Sequence, residues 1–356
     1  MPSLPDGSAP QPDGLPGKPS GSSAPWSGRL AYTRRCSPAG CSPDACSHSG
    51  NEGRFSILEP LPRSNDVPKV SGFTIVRNAI KLDFPVEASI RSILPICDEV
   101  VVNVGRSEDE TLDLVRSIRD PKIRIVQTDW DMTQRNTVLG VETHRAMRAC
   151  THPWGVYIQA DEVLHERGAT ELAAAIQDSD VDSRIEGLLV RYLHFYGGFE
   201  TIATHRRWYR REVRAVRLAP ELDIRPFQGA QGFRVGPSHR KIRARLTGAE
   251  MFHYGWARPA QALREKRDLG RTMYPWRDAD VSVPLLAWVP GIRRFTGTHP
   301  AVARQWIEAR HHDPERVIEP RRFRWRFIRY YLSSVIERLT GVRVFEFRNY
   351  KIVGRG

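Results

Sequence analysis

Between Val70 and Glu162 short apolar runs alternate with amphipathic stretches, and this alternation restricts the fold more than any other feature of the chain. Val70 to Val76 reads as a strand, closed by Arg77-Asn78. Pro85 can open a helix at its first turn, with Val86, Ile90, Ile93 and Leu94 on one face. Glu99 to Val104 is a second strand and ends in Gly105-Arg106-Ser107. Ser107 and Glu110 have the spacing of a capping box, ahead of a helix striped by Leu112, Val115 and Ile118. Lys122 to Gln127 is a third strand, and Gln134 to Cys150 a long helix through Val138, Val141 and Ala146. A fourth strand, Val156 to Ala160, then delivers two adjacent carboxylates, Asp161 and Glu162. Strand and helix in strict alternation predict an α/β fold with a mainly parallel central sheet flanked by helices.

Beyond Glu162 the texture changes. A helix is expected through Leu172 and Ile176, then short strands at Glu186–Tyr192, Trp208–Arg210, Val213–Leu218 and Gly232–Val235, so this half is expected to be mixed with antiparallel pairing. Arg321 to Leu339 reads as a basic amphipathic helix, with Phe323, Phe327, Leu332, Val335, Ile336 and Leu339 on one face. Val342, Val344 and Phe347 alternate with Arg343 and Arg348, as in a short terminal strand. Residues 1–66 are rich in Pro, Gly and Ser and are expected to be a disordered extension. The remainder divides, on this reading, into a catalytic domain over 67–260 and a basic helical extension over 261–356.

The net charge of +13 lies wholly beyond residue 66, because the first 66 residues hold as many acids as bases. Such a field favours anionic partners: nucleotide phosphates, acidic lipid or nucleic acid. The five cysteines, at 36, 41, 46, 97 and 150, are odd in number and have neither disulfide-framework nor zinc-knuckle spacing. Cys97 and Cys150 read as buried apolar positions. No apolar run is long enough to span a bilayer; Val281–Ile292 is short and broken by Pro284 and Pro290. With no secretory signal pattern at the start, a cytoplasmic location is expected.

In a parallel sheet the loops after the strands converge at one edge, where ligands of open α/β sheets sit. Here that edge carries Arg77-Asn78, Gly105 to Asp109, Thr128-Asp129 and Asp161-Glu162. Clustered carboxylates with Asn and Ser suit a hard divalent cation, Mg²⁺ or Mn²⁺, and Arg77 and Arg106 suit the phosphates such a cation carries. Surface ion pairs at loop tips are the alternative.

The runs Val70-Ser71-Gly72-Phe73-Thr74-Ile75-Val76-Arg77-Asn78, Ser107-Glu108-Asp109-Glu110-Thr111 and Gln159-Ala160-Asp161-Glu162, in this order and spacing, resemble the family 2 glycosyltransferases of the GT-A fold. The resemblance covers Val70 to Glu162 well and the remainder in outline. It implies a hexosyltransferase that moves one sugar from a nucleotide-diphosphate sugar to a hydroxyl acceptor, saccharide or lipid-linked, with inversion and in cell-surface glycan assembly. Val76, Arg77 and Asn78 would line the base and ribose pocket, with Ser107 and Asp109 beside the same nucleotide. Asp161 and Glu162 would hold Mn²⁺ or Mg²⁺ and the donor diphosphate. Val104-Gly105-Arg106 stands where the family usually has acidic residues. The third metal ligand the fold often uses matches His253, in Met251-Phe252-His253-Tyr254-Gly255-Trp256, with His194, His239 and His299 as lesser candidates.

An inverting reaction also needs a carboxylate base for the acceptor hydroxyl. Asp223 is the first candidate, set between Leu222 and Ile224, with Glu200 and Glu221 also in the irregular half. The basic clusters Arg206-Arg207, Arg210-Arg211 and the helix from Arg321, interleaved with Phe323, Trp325 and Phe327, fit peripheral contact with an anionic membrane. Two rivals remain. A sugar-phosphate nucleotidylyltransferase would want a glycine-rich basic loop after the first strand. A non-catalytic, basic nucleic-acid binder would want a recognition module; neither motif occurs here, so no specific nucleic acid is expected.

Overall fold

The structure, a computed structural model, describes residues 67–227, 229–273, 285–344, 346 and 348–354. The extension over 1–66 with its three cysteines, Val281–Pro284 and Phe347 lie outside the described residues. Strands β1 (Val70–Val76), β2 (Glu99–Gly105), β3 (Ile123–Thr128) and β4 (Trp154–Tyr157) form the first half of the sheet. Helices α1 (Val86–Ile93), α2 (Thr111–Arg116) and α3 (Val138–Arg148) connect them. The order β3-β2-β1-β4 is parallel throughout, with Gly72 opposite both Val100 and Val156.

Side chains alternate across this sheet as the pleat requires. Val100, Val102 and Val104 of β2 join the core beneath α1 and α2, whereas Val101 joins Phe73, Ile75 and Tyr157 on the side of α3. All four valines of β2 are buried, each worth roughly 1.5 kcal/mol or more. Cys97 is in the same core, as expected, and burial pushes the Cys150 thiol up to about 12.

The second half comprises β5 (Glu162–Leu164), α4 (Glu166–Asp180), β6 (Gly187–Tyr196), β7 (Thr201–Ala203), β8 (Arg211–Arg217), β9 (Ile224–Phe227), β10 (Gly232–Val235) and β11 (Arg240–Trp256). After these come α5 (Ala260–Met273), β12 (Ile292–Arg294), α6 (Arg304–Glu308), α7 (Ile328–Thr340) and β13 (Tyr350–Ile352). The sheet continues from β4 through β8, β6, β11, β10 and β9, so it is one mixed sheet with a parallel half and a largely antiparallel half. β8 runs antiparallel to both β4 and β6, which leaves β4, β6 and β11 pointing the same way. Among the described residues no helix is long and apolar enough to cross a membrane.

Several expectations shift. The helix expected from Gln134 begins at Val138, after a turn kinked at Arg135, and the helix expected from Arg321 begins at Ile328. The strand predicted over Val156–Ala160 lies two residues earlier, and the chain turns at Ile158–Asp161 before β5. The turn is closed by Glu162 N–H donating to the Gln159 carbonyl at 2.9 Å. Trp208–Arg210 is not a strand, because Trp208 folds back through its backbone N–H to the His205 carbonyl at 2.9 Å. The terminal strand is Tyr350–Ile352 rather than Val342 onward, since its partner on β11 is Ile242–Ala244.

Candidate active site

The turn after β4 places Asp161 and Glu162 on opposite errands. Glu162 starts β5, antiparallel to β11 and directly opposite His253. Its side chain is fully buried. One carboxylate oxygen accepts from Tyr192 Oη at 2.7 Å and Arg214 Nη2 at 2.8 Å; the other accepts from Arg214 Nε at 3.0 Å and Gln159 N–H at 3.1 Å. Four donors use the whole acceptor capacity of a carboxylate. Arg214 is equally buried and lies between the rings of Tyr157 and Tyr192, at 5.2 and 5.1 Å. The charge of Glu162, expected at a metal, is here paired with Arg214 and fixes the turn that presents Asp161.

Asp161 faces the cleft, with its backbone carbonyl held by Tyr254 N–H at 2.8 Å. Its carboxylate stands 3.6 Å from His253 Nε2 and 3.1 Å from Lys266 Nζ. Burial alone would lift its pKa. The Lys266 ammonium, with lesser help from His253 and Arg258, instead holds it well below the usual carboxylate range. Gly255 leaves this space open: a Cβ there would fall 2.6 Å from His253 Nε2 and 2.8 Å from Asp161 Oδ2.

A two-histidine relay sets the tautomer of His253. His194 Nε2 lies 2.7 Å from the Tyr209 carbonyl, which can only accept, so that nitrogen carries the proton. Burial holds the His194 pKa well below its ordinary value and the ring is neutral, leaving Nδ1 as an acceptor. His253 Nδ1, 3.0 Å away, must then donate to it. With a proton fixed on Nδ1, His253 turns its Nε2 toward Asp161. At 3.6 Å this nitrogen and the carboxylate are beyond hydrogen-bonding distance. They suit a cation between them, since neighbouring ligands of an octahedral Mg²⁺ at ~2.1 Å are roughly 3 Å apart.

Lys266, from α5, supplies the positive charge at this point. Its ammonium donates to Asp161 Oδ2 and to the Gly255 carbonyl, both at 3.1 Å, and lies over the Trp256 ring. Burial pulls its pKa down to about 8, against the attraction of Asp161. Behind it Arg258, fully buried, donates to the Leu82 and Gly255 carbonyls. The stretch expected to form a separate extension from residue 261 thus begins inside the site. Further along α5, Arg267 Nε and Arg271 Nη2 are buried without an acceptor, as is Trp130 Nε1 against Gly105 at the tip of β2. α5 packs on the turn Met132–Thr137 that follows Trp130. These donors match the oxygens of a phosphate.

The residues expected at the nucleotide do different work. Val76 is core. Asn78, in the left-handed region at φ 53°, donates its N–H to Ser107 Oγ at 3.0 Å, and its Oδ1 accepts from Glu108 N–H at 2.9 Å. Asp109 accepts from Lys81 N–H at 2.8 Å and from both the N–H and the hydroxyl of Thr111. Asn78, Ser107 and Asp109 therefore staple the loops after β1 and β2 together. Arg77 Nε donates to the Arg106 carbonyl at 3.0 Å, and the Arg106 side chain is paired with Asp129 in the open.

Neither proposed base adjoins Asp161. Asp223 lies past the end of β8 paired with the start of β4, at the opposite edge of the sheet. Its carboxylate is paired with Arg225 at 2.7 Å instead of being enclosed by Leu222 and Ile224. Glu221 is in the same turn. Glu200 is at the right edge but on the other face, that of Phe252 and Tyr254 rather than His253. It is exposed, 3.7 Å from His311, beside a cavity of about 270 Å³ lined by Phe199, Phe295 and His299. His299 bridges Tyr254 Oη and the Phe199 carbonyl, and His239 occupies a surface turn. A larger concavity, about 560 Å³, lies between β11 and β13, away from these strand ends, and its Arg240 and Arg243 share one buried carboxylate, Glu186.

Among the described residues no group of three or more His, Cys, Asp or Glu could hold a metal; the set is the pair Asp161 and His253. That pair fits Mg²⁺ or Mn²⁺, which are commonly held by one or two protein groups with substrate phosphates completing the shell.

No family model matches the chain, and no curated protein matches it. Solved structures do. Residues 1-349 of S. aureus TarS, a fragment also solved in complex with UDP, are 13% identical over 60% of this chain and 66% of that fragment, with a TM-score of 0.36. Glucosyl-3-phosphoglycerate synthase from Mycobacterium tuberculosis, with Mn²⁺, UDP and phosphoglyceric acid, is 18% identical over 36% of this chain and 43% of its own, with a TM-score of 0.26. A mannosyltransferase from Pyrobaculum calidifontis with GDP-Man and Mn²⁺ is 22% identical over 34% of each chain, with a TM-score of 0.27. The likeness is one of fold. The chain spans less than two thirds of the length of each of these structures.

Proposed function

We propose that the protein is a divalent-metal-assisted glycosyltransferase that moves one hexose from a nucleotide-diphosphate sugar to a hydroxyl acceptor. The observation that supports this reading is the His194–His253 relay, which fixes a proton on His253 Nδ1 and so turns its Nε2 toward a buried, ionised Asp161. Asp161 and His253 would hold Mn²⁺ or Mg²⁺, and the metal would neutralise charge developing on the departing nucleoside diphosphate. Lys266 holds a positive charge at the same carboxylate, and Arg267, Arg271 and Trp130 offer donors for the diphosphate oxygens. The Glu162–Arg214 pair and the stapled loops of Asn78, Ser107 and Asp109 keep the strand ends rigid, so these donors are preorganised. The acceptor would be a saccharide or a lipid-linked sugar.

Titration calorimetry with UDP-, GDP- and dTDP-sugars, each with and without Mn²⁺, tests the reading. At least one donor is expected to bind in a metal-dependent manner, and Asp161→Ala is expected to abolish that dependence with the fold intact. Absence of metal-dependent binding to all three, or full activity of Asp161→Ala, overturns it.

A further inference from the structure

The outward face of α7 is apolar. Leu332, Val335, Ile336 and Leu339 recur at the i, i+3, i+4, i+7 spacing of a single helical stripe. A stripe of this spacing ordinarily faces a core. Here it faces outward, with Leu332 57%, Val335 54% and Leu339 78% exposed. The core side of the segment is taken by Phe327, Tyr330 and Tyr331, which pack on Ala287 and Val289. Phe323 and Trp325, in edge-on contact at 5.1 Å, extend the apolar surface before the helix, and Val342 extends it beyond.

Charge selects what covers this surface. From residue 321 to 342 there are six arginines and one acid, Glu337, and that acid is held by Arg343 at 3.0 Å. Arg321, Arg322, Arg329 and Arg338 are all exposed. On the helical wheel Arg329 and Arg338 flank the stripe on its two sides. An exposed apolar stripe rimmed by cations, with an aromatic pair at one end, has the build of a helix that lies in a lipid interface.

We propose that α7, with the segment from Phe323, is an interfacial anchor for an anionic lipid surface. Leu332, Val335, Leu339 and Trp325 enter the acyl boundary, and Arg321, Arg322, Arg329 and Arg338 meet the headgroup phosphates. The anchor does not rest on the transferase reading, and it supplies a surface on which a lipid-linked acceptor is held.

The test is co-sedimentation of the full chain with vesicles of phosphatidylcholine alone and of equal parts phosphatidylcholine and phosphatidylglycerol. The protein is expected to pellet with the anionic vesicles and to be released by salt. Each of Arg321→Gln, Arg322→Gln, Arg329→Gln and Arg338→Gln lowers the partition coefficient about fivefold. Leu332→Asp with Leu339→Asp lowers it tenfold or more, on the order of two lost aliphatic side chains. Both leucines are exposed, so circular dichroism of that variant stays unchanged. Trp325 emission shifts to the blue on anionic vesicles, and the shift is lost in Trp325→Phe. Failure to bind anionic vesicles overturns the proposal. So does undiminished binding by the double aspartate variant, or a wild-type dimer that this variant dissolves, because the stripe would then serve a second copy.

Discussion

Replacing Glu162 by Gln separates a structural carboxylate from a metal ligand. The side chain accepts four hydrogen bonds, two of them from an Arg214 that is wholly out of solvent. Gln keeps the shape but removes the charge, leaving a buried guanidinium without its counter-ion. Breaking such a pair from one side costs about 3–5 kcal/mol. At roughly 2–4 °C per kcal/mol, melting should fall on the order of 10 °C. Circular dichroism melts and urea midpoints measure this directly. Arg214→Leu alone should be comparably damaging, whereas the double variant, with both charges removed, should lose less than the two singles together. Mn²⁺ titration of the folded Glu162→Gln protein is the second readout, and its Mn²⁺ affinity should remain far above that of Asp161→Ala. An unchanged melting point together with Mn²⁺ binding as weak as that of Asp161→Ala would refute the assignment and restore Glu162 as a ligand.

Three further outcomes follow from the same geometry. His194→Phe removes the acceptor of His253 Nδ1–H, so Mn²⁺ affinity should drop about 10–100-fold while the Asp161 side of the site is untouched, as measured by calorimetry; unchanged affinity would break the relay argument. Gly255→Ala should block metal-dependent donor binding with little change in far-ultraviolet dichroism, because its Cβ meets His253 and Asp161 rather than a core side chain; normal binding would show that the gap is not the site. Stability should also fall on acidification below about 6.5. His194 and His205 are buried and neutral, with His205 pulled down to about 3, mainly by burial. Below 6.5 the unfolded chain takes up protons that the folded one does not, so each ring contributes a slope of up to about 1.4 kcal/mol per pH unit, with stability rising toward neutral pH. Urea midpoints across pH 4–7 (about two and a half units on this slope) measure it, and a flat profile contradicts the burial of these rings.

What could be read along the chain, and what could not, divides by the range of the interactions involved. The β1 to β4 alternation is local: each strand is an apolar run and each helix a stripe, so the parallel half of the sheet and its convergent edge follow from neighbouring residues. Asp161 and His253 were also legible, since each ends or interrupts an apolar run. Glu162 was not. Two adjacent acids look alike in sequence, and only the pairing of β5 with β11, together with an arginine 52 positions away, decides which is buried. The loop role of Ser107 and Asp109 was not legible either, because their polar atoms bond the backbone of two loops some thirty residues apart in sequence. Lys266 lies 105 residues from its partner within a run of charges that reads as a solvated helix face. Its only local hint is the apolar pair Ala262 and Leu263, which bury one side of α5 and so bring Lys266 to the carboxylate. The pair proposed to hold the cation thus lies where short-range pattern suffices, and the residues that surround it come from contacts that only the completed antiparallel half creates.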